Sequence, residues 1–155
     1  MVRPLSEVDV VHRGNGGEIS MNEMTIDATV ENIIKVTSFV EQELEALDCP
    51  MKAQMQIAVA IDELFGNIAH YAYNPDVGPA TVRVEVIENP LAVVITFIDN
   101  GVQYDPLARN DPDTALSAEE REIGGLGIYM VKKSMDEITY VYQDGQNILR
   151  IKKNI

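Results

Sequence analysis

The order of the apolar patterns along this chain constrains its fold most. Two long stretches with helical spacing follow one another, and stretches with strand-like alternation lie before and after them. In residues 29–47 and again in residues 52–73, apolar side chains recur at every third or fourth position, which predicts two amphipathic helices. Thr29 is a suitable N-cap for the first helix, and Cys49-Pro50 separates it from the second. Helices that are grouped rather than alternated with strands indicate an α+β fold and not a doubly wound parallel sheet.

Strand patterns lie on both sides of the helices. The alternation of Val82 and Val84 with polar residues predicts a half-buried strand, and Asp144-Gly145 between two apolar runs predicts a hairpin. The predicted strands cover residues 18–26, 81–87, 91–98, 138–142 and 148–152, and a short third helix begins near residue 124. This order predicts a two-layer α/β sandwich whose mixed, mostly antiparallel sheet carries its helices on one face.

The first 17 residues show no sustained periodicity and end in a glycine-rich run. We therefore expect a flexible N-terminal extension over residues 1–17 and a single domain over residues 18–155. A lone cysteine, Cys49, cannot form an internal disulfide, which favours a cytoplasmic protein.

The charge of the chain narrows its range of partners. A formal net charge of −13 argues against binding to nucleic acid or to an anionic membrane surface, because both would repel the protein. No apolar run approaches the roughly 20 residues that are needed to span a bilayer. An anionic ligand such as a nucleotide would need Mg²⁺ or backbone N–H groups to offset the negative electrostatic potential of the protein.

Polar residues stand at helical spacing in the second predicted helix. Glu63 and Asn67 lie one turn apart, and His70 continues the same stripe. A glutamate can serve as a general base, and an amide oxygen suits Mg²⁺. His70 could add a polar or cationic contact to phosphates. Such a stripe is also typical of an ordinary solvent-facing surface.

Two glycine-containing segments follow further along the chain. Asp99-Asn100-Gly101 ends a very apolar strand, where a carboxylate could accept a hydrogen bond from a purine amino group and Gly101 would leave room for the ring. Gly124, Gly125 and Gly127 stand where a polar loop becomes a helix, which suits close approach to a phosphate. Taken singly, the first segment is equally typical of a turn and the second of a hinge. No Lys-Ser/Thr follows the glycines, which excludes a Walker loop.

Three segments together resemble the N, G1 and G2 boxes of the GHKL ATPase superfamily. They are the octapeptide at residues 60–67, Asp99-Asn100-Gly101, and the run from Gly124 to Ile128, and the resemblance covers about residues 25–151. The single-domain size resembles the branch of bacterial anti-sigma factors that are also serine-protein kinases. This resemblance implies the Bergerat α/β sandwich, ATP and Mg²⁺ as cofactors, and two partners, a sigma factor and an anti-anti-sigma protein that is phosphorylated on serine. A homodimer is compatible with the resemblance.

The resemblance also implies a role for each matching residue. Glu63 would be the general base, Asn67 the Mg²⁺ ligand, and Asp99 the acceptor for the adenine amino group, with Gly101 beside the ring. The phosphates would receive backbone N–H groups from the second glycine segment, which comprises Gly124, Gly125, Leu126 and Gly127. Residues 103–123 would form an ATP lid, whose only cations are Arg109 and Arg121.

Two departures from the family pattern keep other functions open. The serine kinases often have a histidine four residues after the asparagine of the N box, which is Asn67 in this chain. Here that position is Tyr71, and His70 precedes it, a basic-then-aromatic pair that is similar to the pair in sensor histidine kinases. We assign both residues to nucleotide binding. Val102-Gln103 stands where the family often has a further glycine. The alternatives are a nucleotide-gated binding module without catalysis and a detached histidine-kinase-like domain that acts in trans.

Overall fold

Six strands form a single sheet beside three α-helices in the computed structural model, which describes residues 11–15, 19–108 and 125–155. The strands are β1 (Val11–Asn15), β2 (Ile19–Asp27), β3 (Pro79–Ile87), β4 (Ala92–Asp99), β5 (Glu137–Gln143) and β6 (Gln146–Asn154). The helices are α1 (Ile33–Ala46), α2 (Met51–Asn67) and α3 (Gly125–Ser134). The predicted α+β class is confirmed, and so is the predicted succession of strands and α-helices from β2 onward.

The strand order is β1-β2-β3-β4-β6-β5, and every pairing among these described strands is antiparallel. The expected parallel component of the sheet is therefore not found in the part of the chain that the structure describes. Strands β4 and β5, which α3 connects, do run in the same direction. They are not neighbours in the sheet, because β6, which forms a hairpin with β5, lies between them and pairs with both.

The helices cover one face of the sheet. Paired residues of an antiparallel sheet point to the same face, and Val82 pairs with Phe97, which in turn pairs with Leu149. All three belong to one buried cluster that also contains Val40 of α1 and Phe65 of α2. The central helix α2 packs against both α1 and α3. It therefore buries a broader face than a single stripe.

The helical segment before α1 begins differently from the prediction. A short 3₁₀ turn, Val30–Asn32, precedes α1, and the side chain of Thr29 makes no capping hydrogen bond. Instead, the side-chain amide of Asn32 donates to the carbonyl of Asp27 at 2.9 Å and ties the turn to the end of β2.

The first strand lies within the predicted flexible extension. Val11 pairs with Glu23 and Asn15 with Ile19, so these five residues extend the sheet by one antiparallel strand. The prediction is wrong for β1, because backbone pairing at the open edge of β2 needs no apolar periodicity. Residues 1–10 and 16–18 lie outside the described residues, and the domain boundary at residue 18 stays a prediction. Within the described part of the chain, no helix is both long and apolar enough to cross a membrane.

Candidate functional site

An open cleft lies between the end of α2, the ends of β4 and β6, and the loop that follows β4. It contains about 440 Å³ of empty space, part of which is open solvent. Its apolar walls include Leu64, Phe97 and Leu149, its polar lining includes Asn67, Asp99 and Asn147, and three tyrosines, Tyr71, Tyr104 and Tyr140, also line it. The cleft thus combines an apolar interior with a few convergent polar groups.

The end of α2 changes its helical type beside this cleft. The residues Ile68–Ala72 continue the helix as a π-helical turn, a feature that is frequent at functional sites. The turn brings Tyr71 to the cleft, where its ring centroid lies 6.1 Å from that of Tyr104. His70 is exposed and does not line the cleft. Of the predicted pair, the structure therefore brings only Tyr71 to the site.

Asp99 lies at the inner end of the cleft and is only 5% exposed. Its Oδ1 accepts hydrogen bonds from the backbone N–H of Gly101 and from the side-chain amide of Asn147, both at 2.9 Å. Among the described residues, Oδ2 has no protein partner. One carboxylate oxygen is thus held by the protein and the other is available to a ligand.

Gly101 is held against the end of α2. A β-carbon at this position would overlap the carbonyl oxygen of Ala72 and would come within 2.6 Å of its Cβ. The adjacent backbone N–H of Val102 donates to the same carbonyl at 2.9 Å. Glycine is required here because the turn after β4 passes directly over the helix end.

Glu63 and Gly127 bring α2 and the start of α3 together. A β-carbon on Gly127 would overlap the carboxyl group of Glu63. Glu63 is half-buried, and burial, with a smaller contribution from the charge of Asp62, raises the pKa of its carboxyl group above the ordinary value of 4.5. A raised pKa is typical of a carboxylate that exchanges protons with a substrate.

Asn67 lies one turn beyond Glu63 and lines the cleft in a half-buried position. The described residues contain no cluster of three or more His, Cys, Asp or Glu side chains that could hold a metal ion by themselves. Gly125 and Leu126 begin α3, and Leu126 is 44% exposed.

Several predicted features cannot be located. Gly124, Arg109, Arg121 and the greater part of the predicted lid, residues 109–123, lie outside the described residues. The beginning of that lid, residues 103–108, is described and contributes Tyr104 and Pro106 to the cleft.

Sequence reasoning missed Asn147, which is 6% exposed and lies at the base of the cleft. A signal for it existed, since Asn147, Leu149 and Ile151 alternate along β6 and all three point into the core. A polar residue at an inward position of a strand is unusual and needs hydrogen-bond partners.

Tyr73 was also missed. Its hydroxyl donates to the carbonyl of Pro79 at 2.6 Å and accepts from the N–H of Asn100 at 2.9 Å. A β-carbon on Gly78 would come within 2.5 Å of its ring. Burial raises the pKa of the Tyr73 phenol, so the phenol stays protonated and can donate. The side chain therefore joins the loop after α2 to the turn after β4.

The fold and the cleft define a class of protein, an α/β sandwich with an open, partly apolar cleft at the end of its central helix. Residues 26–153 match the family described as the histidine kinase-like ATPase domain, and the chain belongs to that family. This confirms the predicted membership of the GHKL superfamily.

Among relatives, the chain is similar to the serine/threonine-protein kinase BtrW of Bordetella bronchiseptica, with 27% identity over 64% of this chain and 70% of BtrW. It is also similar to the serine-protein kinase RsbW of Bacillus thuringiensis, with 33% identity over 61% of this chain and 60% of RsbW. The RsbW of Bacillus anthracis is 32% identical over the same shares. The chain thus matches less than two thirds of the length of either RsbW, and these names support a kinase family.

Proposed function

We propose that this protein is a Mg²⁺-ATP-dependent kinase that phosphorylates a serine on an anti-anti-sigma partner and also sequesters a sigma factor. The observation that carries the proposal is the contact between Glu63 and Gly127, because it joins the candidate base to the glycine-rich start of α3 beside an open cleft. The names of the relatives, all serine or serine/threonine-protein kinases, support the same reaction class. Such a role would be exercised in the cytoplasm, where RNA polymerase works.

The inner end of the cleft suits adenine. Asp99 offers one free carboxylate oxygen as acceptor for an exocyclic amino group, and Phe97 and Leu149 offer apolar surface for a flat ring. The pair Tyr71 and Tyr104 stands near the rim, where aromatic side chains can pack against a base.

The opposite end suits phosphates and a magnesium ion. The first residues of α3, Gly125 to Gly127, would offer backbone N–H groups, as helix starts commonly do for anions. Asn67 offers one hard oxygen ligand. The donor set fits Mg²⁺, which is usually held by one or two protein oxygens together with phosphate oxygens and waters.

Glu63 would act on the protein substrate. Its carboxylate would accept the proton of the serine hydroxyl while that oxygen attacks the terminal phosphorus and ADP leaves. A half-buried carboxylate with a raised pKa is better matched to this proton transfer than a fully solvated one.

The test is transfer of labelled phosphate from ATP, with Mg²⁺, to a small anti-anti-sigma protein encoded in the same genome. The wild-type protein should give an acid-stable phosphoserine, and Glu63→Gln should lower the transfer rate at least ~100-fold while leaving ATP affinity within a few-fold. Asp62→Asn, one residue away and exposed, is the matched control and should retain activity.

Other outcomes point to the alternatives. ATP binding without transfer by the wild-type protein would instead support a nucleotide-gated binding module, and an acid-labile phosphate on the partner would indicate a histidine acceptor. Full transfer by Glu63→Gln would remove the proposed base, and absence of ATP binding would overturn the proposal as a whole.

A further inference from the structure

Asn147 stands directly beside Asp99 in the sheet. The two residues are paired in the register of β4 and β6, so their side chains point to the same face. Asn147 is 6% exposed, and its neighbours at alternating positions, Leu149 and Ile151, belong to the core. A buried amide at this place would destabilise the fold unless its hydrogen-bonding groups were satisfied.

The amide of Asn147 is fully satisfied. Its Nδ2 donates to Asp99 Oδ1 and to the carbonyl of Val102, both at 2.9 Å. Its Oδ1 accepts from the Tyr140 hydroxyl at 2.5 Å and from the backbone N–H of Tyr104 at 3.1 Å. These four bonds use the whole capacity of an amide side chain.

The partners also determine which way the amide points. A backbone N–H can only donate, and a carbonyl and an ionised carboxylate can only accept, so the oxygen must face Tyr104 and the nitrogen must face Asp99. Burial raises the pKa of the Tyr140 phenol, so its hydroxyl stays protonated and donates. Aspartate or leucine at position 147 could not make this set of bonds.

The consequence for a ligand lies in the carboxylate of Asp99. Because Gly101 and Asn147 both bond to Oδ1, only Oδ2 is left for a ligand among the described residues. One free oxygen matches adenine, which has a single amino group on its hydrogen-bonding edge. Guanine presents two adjacent donors on that edge, and a carboxylate that binds both must offer both oxygens.

We propose that Asn147 is a positioning residue that determines nucleotide specificity, by holding Asp99 so that one carboxylate oxygen faces the cleft and by anchoring Val102 and Tyr104 at its wall. The inference rests on the proposed function, because it concerns the base-binding end of the same site. It assigns the selection of adenine over guanine in part to a residue outside the three sequence motifs.

The experiment measures the dissociation constants of the full chain for ATP and GTP, each with Mg²⁺, by titration calorimetry. Asn147→Leu keeps the branched shape and the number of non-hydrogen atoms of the side chain and removes all four hydrogen bonds. We expect it to weaken ATP binding by about tenfold, since the hydrogen bond to the charged Asp99 is lost, and to lower the preference for ATP over GTP by a similar factor. The matched control is Gln146→Ala, because Gln146 is the adjacent residue and donates to Asn100 at 3.1 Å on the exposed side of the same turn. It should leave the preference unchanged.

A second variant and a double mutant separate positioning from folding. Tyr140→Phe removes one donor to Asn147 and leaves the core volume almost intact, and should lower the preference by about two- to threefold. If Asn147 acts through Asp99, adding Asn147→Leu to Asp99→Ala should not change the preference any further.

An unchanged preference in both Asn147→Leu and Tyr140→Phe would overturn the inference while leaving the proposed function intact. Failure of the wild-type protein to bind either nucleotide would instead overturn the proposed function. If Asn147→Leu does not fold, the test is the preference for ATP over GTP in Tyr140→Phe compared with that in Gln146→Ala. A lower preference in Tyr140→Phe supports the inference, and equal preferences overturn it.

Discussion

Gly127 lies so close to Glu63 that a β-carbon at position 127 would overlap the Glu63 carboxyl group. The two residues are far apart in the chain, one near the C-terminal end of α2 and the other in the first turn of α3. The absence of a side chain at position 127 is what allows this carboxyl group to lie against the start of α3. The contact makes the position of the candidate base dependent on a glycine.

Gly127→Ala should separate stability from activity. The overlapping atoms belong to the end of a flexible side chain, so Glu63 can move aside without unfolding the protein. Alanine also favours helix over glycine by up to ~1 kcal/mol, so the free energy of unfolding should stay equal or rise slightly. Phosphotransfer should fall by at least ~10-fold, because a displaced base no longer meets the hydroxyl group.

Chemical denaturation and phosphotransfer assays on the same preparation of Gly127→Ala would measure both quantities. A variant with full activity would show that the position of the Glu63 carboxyl group does not matter for the reaction.

The rate of phosphotransfer should fall at low pH with the protonation of Glu63. Burial, and secondarily the charge of Asp62, raises the pKa of Glu63, so the acid limb of the rate profile should lie above pH 4.5. Asp62→Asn removes the second cause and should move that limb to lower pH. The pH dependence of kcat/KM for ATP, which reports the groups of the free protein, checks this for both proteins, and identical acid limbs would exclude the charge of Asp62 as a cause.

Glu63→Gln should change stability in a pH-dependent manner. A carboxylate whose pKa is raised in the folded state binds its proton more tightly there, so its ionisation lowers the stability of the fold as pH rises through that value. Removing the charge should therefore increase the free energy of unfolding at neutral pH, by less than about 1 kcal/mol because the group is partly solvated. The difference from wild type should disappear below pH 4.5. Urea unfolding at several pH values measures it, and a lower stability of the variant at neutral pH would contradict the prediction.

Gly101→Ala and Gly66→Ala form a matched pair. A β-carbon at Gly101 would overlap the backbone carbonyl of Ala72, which cannot move without disturbing the end of α2. We expect a loss of about 1–3 kcal/mol in the free energy of unfolding, together with weaker ATP binding. Gly66 lies within α2, and its β-carbon would be 4.0 Å from Ile33, so alanine there should stabilise the protein by up to ~1 kcal/mol. Thermal unfolding of both variants compares them directly, and equal effects would contradict the proposed contact at Gly101.

The helices and the hairpin were predictable because their signals are local. The periodicity of residues 29–47 and 52–73 predicts both helices, α1 and α2, although α2 ends at Asn67 and a π-helical turn follows it. In the predicted hairpin, Asp144 and Gly145 both have positive φ, at 53° and 77°, as the tight turn requires. The alternation of β3 is also seen directly in its burial.

Other features depend on neighbours that are distant in sequence. The strand β1 exists through pairing with the edge of β2, and no pattern of its own residues indicates it. The π-helical turn, Ile68–Ala72, brings Tyr71 to the cleft and leaves His70 exposed, whereas a regular helix over residues 52–73 was predicted. The hydrogen bonds of Asn147 depend on the register between β4 and β6.

The sequence by itself determined the order of the elements, the faces that they bury and the residue types available for a nucleotide site, because periodicity and motif are properties of neighbouring residues. Only the tertiary structure decided that Gly127 contacts Glu63 and that Asn147 engages one oxygen of Asp99. Those relations arise from close packing and from the need to satisfy buried polar groups, and both conditions act between segments that the chain order keeps apart.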